Sequence, residues 1–562
     1  GRPLEVLGFT PDNEWVFFAK SSRFNPDQRA LGSGPSKLYR VAWAGGDPEE
    51  LAEAESAVVS PVEAKLAFVK GERELWLVEP GEEPVKIIDA RGELSQPRWS
   101  PDGKKLVMAT MRGQYPHRYS FITVYDIETE EIRYLDASVY LDVRPIWSPD
   151  GTQVAFLRRL TGGQLFGLVA KTVSNPDPWE VRVADFATGE TVRAWRSPDS
   201  DTFYFADLAW FDERRLVFRS ERDGWRHLYL VGADGSGLQQ LTSGEYEVEA
   251  FEPAHELGRI FVTCNRDDVD RRHIWSVDAT SEMVPLTAGA SSEWSPVPLA
   301  DGKHLAFVGS NARSPAHMYL KPISGRKAWK IAPEALPEAF PSARLVEPQA
   351  VVFDSTDGLP IHGQLFMPPE RFEGRRPAVM FFHGGPIRQM LLGFHYSGYY
   401  HRAYAMNQYL ASRGYVVLSV NFRLGIGYGR AFRDVEDGGP RGGSEYRDLL
   451  AGARLLRSNP RVDPERIGLW GGSYGGLMTA LGLARNSDLF AAGVDLHGVH
   501  DWNQWQAWVS GQPNDEGRPE WSSSPIADLE SWSSPVLLIH GDDDRNVPFS
   551  ETKWLVEKLD AM

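Results

Sequence analysis

Ile467-Gly468-Leu469-Trp470-Gly471-Gly472-Ser473-Tyr474-Gly475-Gly476-Leu477-Met478-Thr479-Ala480 runs from an apolar tetrapeptide, through a glycine-rich turn, into a helix-forming stretch. Strand, tight turn and helix form the setting in which G-x-S-x-G presents a serine as a nucleophile. A serine at such a turn is held in a strained backbone, and flanking glycines let neighbouring chains pass where a side chain would clash. Its hydroxyl then stands at the carboxyl edge of a sheet, beside helix-start N–H groups able to receive an oxyanion. Ser473 is therefore the candidate nucleophile, and the N–H of Tyr474 a candidate oxyanion donor.

The surrounding sequence has the same grammar. Strand-like runs fall at residues 350–353, 362–367, 378–382, 415–420, 467–470, 492–496 and 535–539, and helices are expected near 399–413, 444–458, 476–486 and 550–559. Near-continuous apolar strands separated by helices predict a mostly parallel, doubly wound sheet covered on both faces, with functional groups at the strands' carboxyl ends. His383-Gly384-Gly385-Pro386 follows the third strand, so Gly384 or Gly385 can offer the second oxyanion amide, with His383 at the substrate side. His540-Gly541-Asp542-Asp543-Asp544-Arg545-Asn546-Val547-Pro548 follows the seventh. It supplies an acid in the serine-then-acid order of an α/β-hydrolase, and spacing alone does not choose among its three aspartates. Trp502, Trp505 and Trp508 offer apolar surface for a substrate pocket, next to His497-Gly498-Val499-His500-Asp501. Gly425-Ile426-Gly427-Tyr428-Gly429 lacks the spacing of a dinucleotide site and reads as a close-packed turn.

Residues 1–335 read differently. Trp99-Ser100-Pro101-Asp102-Gly103 and Trp147-Ser148-Pro149-Asp150-Gly151 are each a turn followed by a strand, and weaker copies sit near Pro11, Pro61, Asp212, Pro253 and Pro296, 40 to 63 residues apart. Such a period, with several short strands in each unit, predicts a β-propeller of seven or eight blades. Histidines recur at one strand position (His227, His273, His317), which favours packing or capping over metal binding, and Asp267-Asp268-Val269-Asp270 lacks the glycine and distal glutamate of a calcium loop. The expected organisation is thus a propeller over 1–335 and an α/β-hydrolase domain over 345–562. No metal or cofactor is implied.

The chain has 562 residues and a net charge of -17, with no long block of one sign. That balance disfavours nucleic acid and anionic membranes as partners. No apolar run reaches the ~18 residues of a membrane span. Cys264, the one cysteine, excludes an internal disulfide and reads as a small buried residue. Compartment stays open between the cytoplasm and export with a signal peptide removed, and homo-oligomerisation stays open too.

Taken together, the W-S-P-D-G phrases, His383-Gly384-Gly385-Pro386, Gly471-Gly472-Ser473-Tyr474-Gly475-Gly476 and His540-Gly541-Asp542-x-Asp544-x-x-Val547-Pro548 resemble the prolyl oligopeptidase family of serine peptidases, in its dipeptidyl-aminopeptidase and acylaminoacyl-peptidase branches. The resemblance implies Ser473 as nucleophile, Asp544 as the carboxylate that orients a catalytic histidine, Tyr474 with Gly384 or Gly385 as oxyanion amides, and Asn546 as a holder of substrate backbone. It implies hydrolysis of short peptides through an acyl-enzyme, acting from the N-terminus. The paired glutamates that receive a free amino terminus in dipeptidyl relatives are matched poorly by Trp179-Glu180 and Glu245-Tyr246-Glu247. A catalytic histidine after Asp544 is also missing, because His540 is the last histidine and only 18 residues follow Asp544. The expectation is a further strand and a histidine about 30 residues past the acid, beyond Met562. An esterase using the same triad and a catalytically incomplete propeller scaffold are the alternatives.

Overall fold

The computed structural model describes residues 4–21, 36–113, 118–160, 177–199, 201–325, 327–510 and 519–562. By internal packing the chain falls into two compact units. Of the described residues, one unit comprises those up to Arg222 together with His227–Leu241; the other comprises Asp223–Arg226 and those from Thr242 to Met562.

The first unit is built of four-stranded antiparallel meanders spanning residues 4–54, 56–89, 93–135, 141–196 and 207–240. The third and fourth join into one eight-stranded sheet through a single parallel pairing of Ser120 with Leu141. The W-S-P-D-G phrase builds the turn between a meander's first two strands. Ser100 Oγ donates to Asp102 and accepts the N–H of Lys105 at 2.9 Å, while Gly103 takes the left-handed φ of 68° that closes the turn. Ser148, Asp150 and Gly151 (φ 72°) repeat this arrangement one meander later. Two tryptophans at this position tie meanders together: Trp99 Nε1 donates to the carbonyl of Val58 at 3.0 Å, and Trp210 Nε1, in a weaker copy of the phrase, to that of Ile146 at 3.4 Å; the Trp147 indole makes no such bond.

Two further meanders, spanning 248–285 and 291–330, belong to the second unit with the hydrolase sheet. Within that unit they are bonded to loops of the hydrolase part. Asn265 Nδ2 donates to the carbonyl of Gly427, the N–H of Leu392 to that of Asp270, and the N–H of Phe394 to that of Asn311. Cys264 is fully buried here, and burial pushes its thiol up to about 12. His273 pairs with Glu293 at 2.9 Å, a packing contact between strands.

The hydrolase sheet contains β1 (Gln349–Asp354), β2 (Pro360–Phe366), β3 (Arg376–Phe382), β4 (Val416–Asn421), β5 (Val462–Gly472), β6 (Ala492–Leu496) and β7 (Val536–Ile539). Its order is β1-β2-β4-β3-β5-β6-β7. Pairs among β4, β3, β5, β6 and β7 are parallel, and β1 and β2 add an antiparallel edge. Helices α1 (Gly398–Ser412), α2 (Tyr446–Ser458), α3 (Tyr474–Asn486), α4 (Trp502–Ser510) and α5 (Ser550–Ala561) connect and flank the strands. The central strands are apolar on both faces: Met380, Val416, Leu418, Val420, Ile467 and Leu469 lie in one core with Leu477, Leu481 and Leu483 of α3. At the opposite margin β7 carries Leu537 and Ile539 half in solvent.

Candidate active site

The turn between β5 and α3 places Ser473 at φ 58°, ψ -118°, a left-handed conformation that a non-glycine residue holds only when its surroundings impose it. They do so here. The Ser473 N–H donates to the carbonyl of Leu496 at 2.9 Å and to His497 Nδ1 at 3.1 Å, and its carbonyl accepts the N–H of Leu477 to start α3. Two glycines permit the geometry: a Cβ on Gly475 would lie 2.0 Å from the carbonyl oxygen of Phe382, and one on Gly471 would lie 2.6 Å from the same atom.

The loop after β3 comes up against this serine. A Cβ on Gly384 would lie 3.1 Å from Ser473 Cβ, 2.8 Å from the carbonyl of Gly472 and 3.1 Å from the phenol oxygen of Tyr400. Gly385 turns the loop at φ 124°. Tyr474, whose amide follows Ser473, is fixed by its side chain: its phenol donates to buried Glu445, which also accepts the N–H of Gly439, and its ring packs between Phe422 and Trp502. Burial pushes the Glu445 carboxyl up from its ordinary value.

Several side chains expected at the substrate face are elsewhere. His383 is wholly buried, stacked on Phe422 at 4.4 Å with Nδ1 donating to the carbonyl of Gly384, and burial pushes its imidazole down to about 4. It supports the Gly384 loop from beneath, with no surface left open on the face where the sequence reading placed it. Trp502 is likewise 2% exposed and backs Tyr474. Trp505 is half-buried and its indole donates to the carbonyl of Asn546, so it braces the acid loop, while the Asn546 side chain is exposed.

Among the three aspartates, Asp542 is exposed and Asp544 is drawn into its own loop, where Oδ1 accepts the N–H groups of Asn546 at 2.7 Å and Val547 at 2.9 Å. The Asp544 charge acts on Tyr399, whose phenol burial has already pushed well above its ordinary value. Tyr399 accepts from His497 Nε2 at 3.2 Å, so its phenol lies between the acid loop and the elbow. Tyr399, Tyr400 and the inward turn of His497 are features that sequence reasoning missed, since no motif marks aromatic residues at the start of a helix.

Among the described residues no histidine bridges Ser473 and Asp544. His497 spends both ring nitrogens, one on the Ser473 backbone and one on Tyr399. His500 is buried against Asp495 at 2.7 Å, which raises its imidazole above the ordinary value, with Nδ1 donating to the carbonyl of Glu551. His540 donates from Nε2 to the carbonyl of Val547, accepts at Nδ1 from Thr552, and stands 3.8 Å from Asp544. The glycine run Gly425–Gly429 is a packed turn: the N–H groups of Gly427 and Gly429 both donate to Glu247. That bond, with an ion pair to Arg226, occupies Glu247 internally, and Glu180 is likewise engaged with Arg182 and Arg193.

Comparison with known proteins bears on the family and the fold. Residues 402–562 match the family model described as the prolyl oligopeptidase family, and residues 172–315 match that of the dipeptidyl peptidase IV N-terminal region. The C-terminal segment belongs to the prolyl oligopeptidase family. Its relatives include the Bacillus subtilis peptidase YuxL, 30% identical over 38% of this chain and 33% of that one. A probable dipeptidyl-aminopeptidase B of Emericella nidulans is 28% identical over 60% of this chain and 38% of that one. Dipeptidyl-peptidase 5 of Porphyromonas gingivalis is 23% identical over 97% of this chain and 72% of that one. This chain therefore spans only 33% to 38% of the length of the first two relatives. Among solved structures, a Mycobacterium tuberculosis puromycin-hydrolyzing peptidase superposes with a TM-score of 0.73 at 21% identity, covering 99% of this chain and 88% of that one. The acylaminoacyl peptidase of Pyrococcus horikoshii gives 0.66 at 19%, covering 100% and 89%. These likenesses establish the fold, a propeller region followed by the family's hydrolase domain.

Proposed function

We propose that this protein is a serine peptidase that hydrolyses short peptides from the N-terminal side, with Ser473 forming the acyl-enzyme. The observation that carries this reading is the strained Ser473 with the Gly384 loop packed against its Cβ. In that arrangement the Ser473 hydroxyl attacks the scissile carbonyl, and the amides of Tyr474 and Gly384 receive the oxyanion. This chemistry requires a general-base histidine held by Asp544, which would take the serine proton and return it to the leaving amine; among the described residues none bridges the two side chains. The two meanders of the second unit, bonded to the loops after β3 and β4, narrow access to the site. Peptides of a few residues are then good substrates and folded proteins poor ones. The three dipeptidyl-aminopeptidase, puromycin-hydrolase and acylaminoacyl-peptidase likenesses support an exopeptidase. With Glu247 held by Arg226, a blocked or uncharged N-terminus suits this site as well as a free one.

The test is turnover of chromogenic dipeptide amides, free and N-acetylated, by parent and Ser473→Ala. The variant should lose activity by at least about a thousandfold with its thermal melt unchanged. Activity within tenfold of the parent removes Ser473 from the mechanism, and efficient cleavage inside a compact folded protein removes the size restriction.

A further inference from the structure

The loop that follows β3 carries a cation with no counter-ion among the described residues. Arg388 is half-buried, and its backbone is pinned on both sides: its N–H donates to the carbonyl of Pro386 at 2.6 Å, and its carbonyl accepts the N–H of Ile426 at 3.1 Å. The side chain donates from Nη1 to its neighbour's carbonyl, Ile387, at 2.8 Å. Among the described residues no Asp or Glu forms an ion pair with it, whereas nearby arginines are matched: Arg226 with Glu247, Arg272 with Glu249, Arg423 with Asp357 and Asp448, and Arg433 with Asp434.

Its place is beside the nucleophile. The stem passes Gly385, where a Cβ would lie 3.0 Å from Arg388 Cγ. The head faces the Tyr400 phenol, on which it acts against the upward push of burial. That phenol oxygen and Ser473 Cβ each lie 3.1 Å from the same point, the Cβ position of Gly384. One aromatic ring thus separates the guanidinium from the elbow. Its field also reaches two buried imidazoles: His383 and His395 are pushed down by burial first, and Arg388 adds to the push in both. With both histidines neutral and Glu249 held by Arg272, the groups facing Arg388 supply no negative charge to balance it.

We propose that Arg388 is a specificity-determining residue that receives a carboxylate of the substrate, so that the preferred peptides carry a negative charge close to the scissile bond. This rests on the peptidase reading of Ser473. A guanidinium offers forked donors that match a carboxylate in two parallel hydrogen bonds, and one already partly removed from water loses less on binding than a free lysine would. An uncharged amide of the same shape satisfies the fork with a weaker acceptor. The carboxylate can be an acidic side chain or the free C-terminus of a short peptide, and experiment separates the two.

Binding is best measured by titration calorimetry on Ser473→Ala, which removes turnover from the reading. Three tripeptides serve as probes: an amidated one with central glutamine, the amidated glutamate counterpart, and the glutamine peptide with a free C-terminal carboxylate. The expected result is that one carboxylate peptide binds about tenfold tighter than the neutral one. Arg388→Met on the same background should erase that ratio and Arg388→Lys should keep part of it, with circular dichroism checking that both variants fold. Whichever carboxylate carries the preference identifies its source. Equal affinities for all three peptides, or a preference unchanged in Arg388→Met, overturns the Arg388 proposal alone. Failure of all three to bind overturns the peptide-site reading and this proposal together.

Discussion

Glu551 should make the protein less stable as pH rises through neutrality, and Glu551→Gln should remove that dependence. The residue lies in the first turn of α5, fully buried; Oε2 accepts the N–H groups of His500 at 2.8 Å and Asp501 at 2.9 Å, and Oε1 has no partner. Burial raises its carboxyl from 4.5 to about 7, against the opposing pull of His500. Below pH ~4.5 the group is protonated in both the folded and unfolded chains, so it adds no pH dependence there. Between 4.5 and about 7 the folded chain keeps a proton that the unfolded chain has released, so stability falls as pH rises; above about 7 the loss is complete. At ~1.36 kcal/mol for each pH unit, the interval from 4.5 to about 7 amounts to about 3 kcal/mol. His500, raised by Asp495, acts in the same direction: its contribution is whole below its unfolded value of 6.5 and is lost as pH rises through its higher folded value. Glutamine keeps the oxygen that accepts the two amides and cannot ionise. The assay is urea unfolding of parent and variant at pH 5 and pH 8. The variant should gain about 3 kcal/mol relative to the parent between the two pH values, roughly 6 to 12 °C in the melting of a segment this size. Parallel pH profiles for the two proteins would refute the reasoning.

Other substitutions probe the site and the blades. Tyr474→Phe leaves Glu445 buried without its phenol donor and frees the ring beside the oxyanion amide, so it should cost about 1–3 kcal/mol and lower kcat more than it raises KM, read from melts and steady-state kinetics. An equal fall in activity from a remote, equally destabilising core substitution would make the effect one of folding. Gly475→Ala drives a methyl to 2.0 Å from a backbone carbonyl, and should abolish activity or soluble expression altogether. Trp99→Phe deletes the indole bond to Val58 and should lower the melting of the blade region by about 1 kcal/mol, seen as a shift in its transition alone.

The sequence by itself determined what is local. Apolar runs at period two or in unbroken blocks, glycines where a Cβ would strike a carbonyl, and the Ser-Pro-Asp-Gly turn chemistry are each written within a few residues, so the blades, the parallel sheet, the elbow at Ser473 and the loop at Gly384 were legible. Spacing did not choose among the three aspartates, and what the fold adds is that Asp544 Oδ1 turns back to accept two N–H groups of its own loop while Asp542 stays exposed. Tertiary structure alone decided which side chains face the site, because that depends on what packs behind each one. His383 and Trp502 sit in motifs that suggest contact with substrate, yet Phe422 and Tyr474 need a partner beneath them, and burial claimed both. Conversely, nothing in the sequence around Tyr399, Tyr400 or Arg388 announces a functional residue. They reach Ser473 because β3 and β5 lie side by side in the sheet, which brings residues 70 to 90 positions apart to within one ring's width. The last two meanders illustrate the same principle at larger scale: their repeat marks them as blades, while their hydrogen bonds to Gly427, Leu392 and Phe394 join them to the hydrolase.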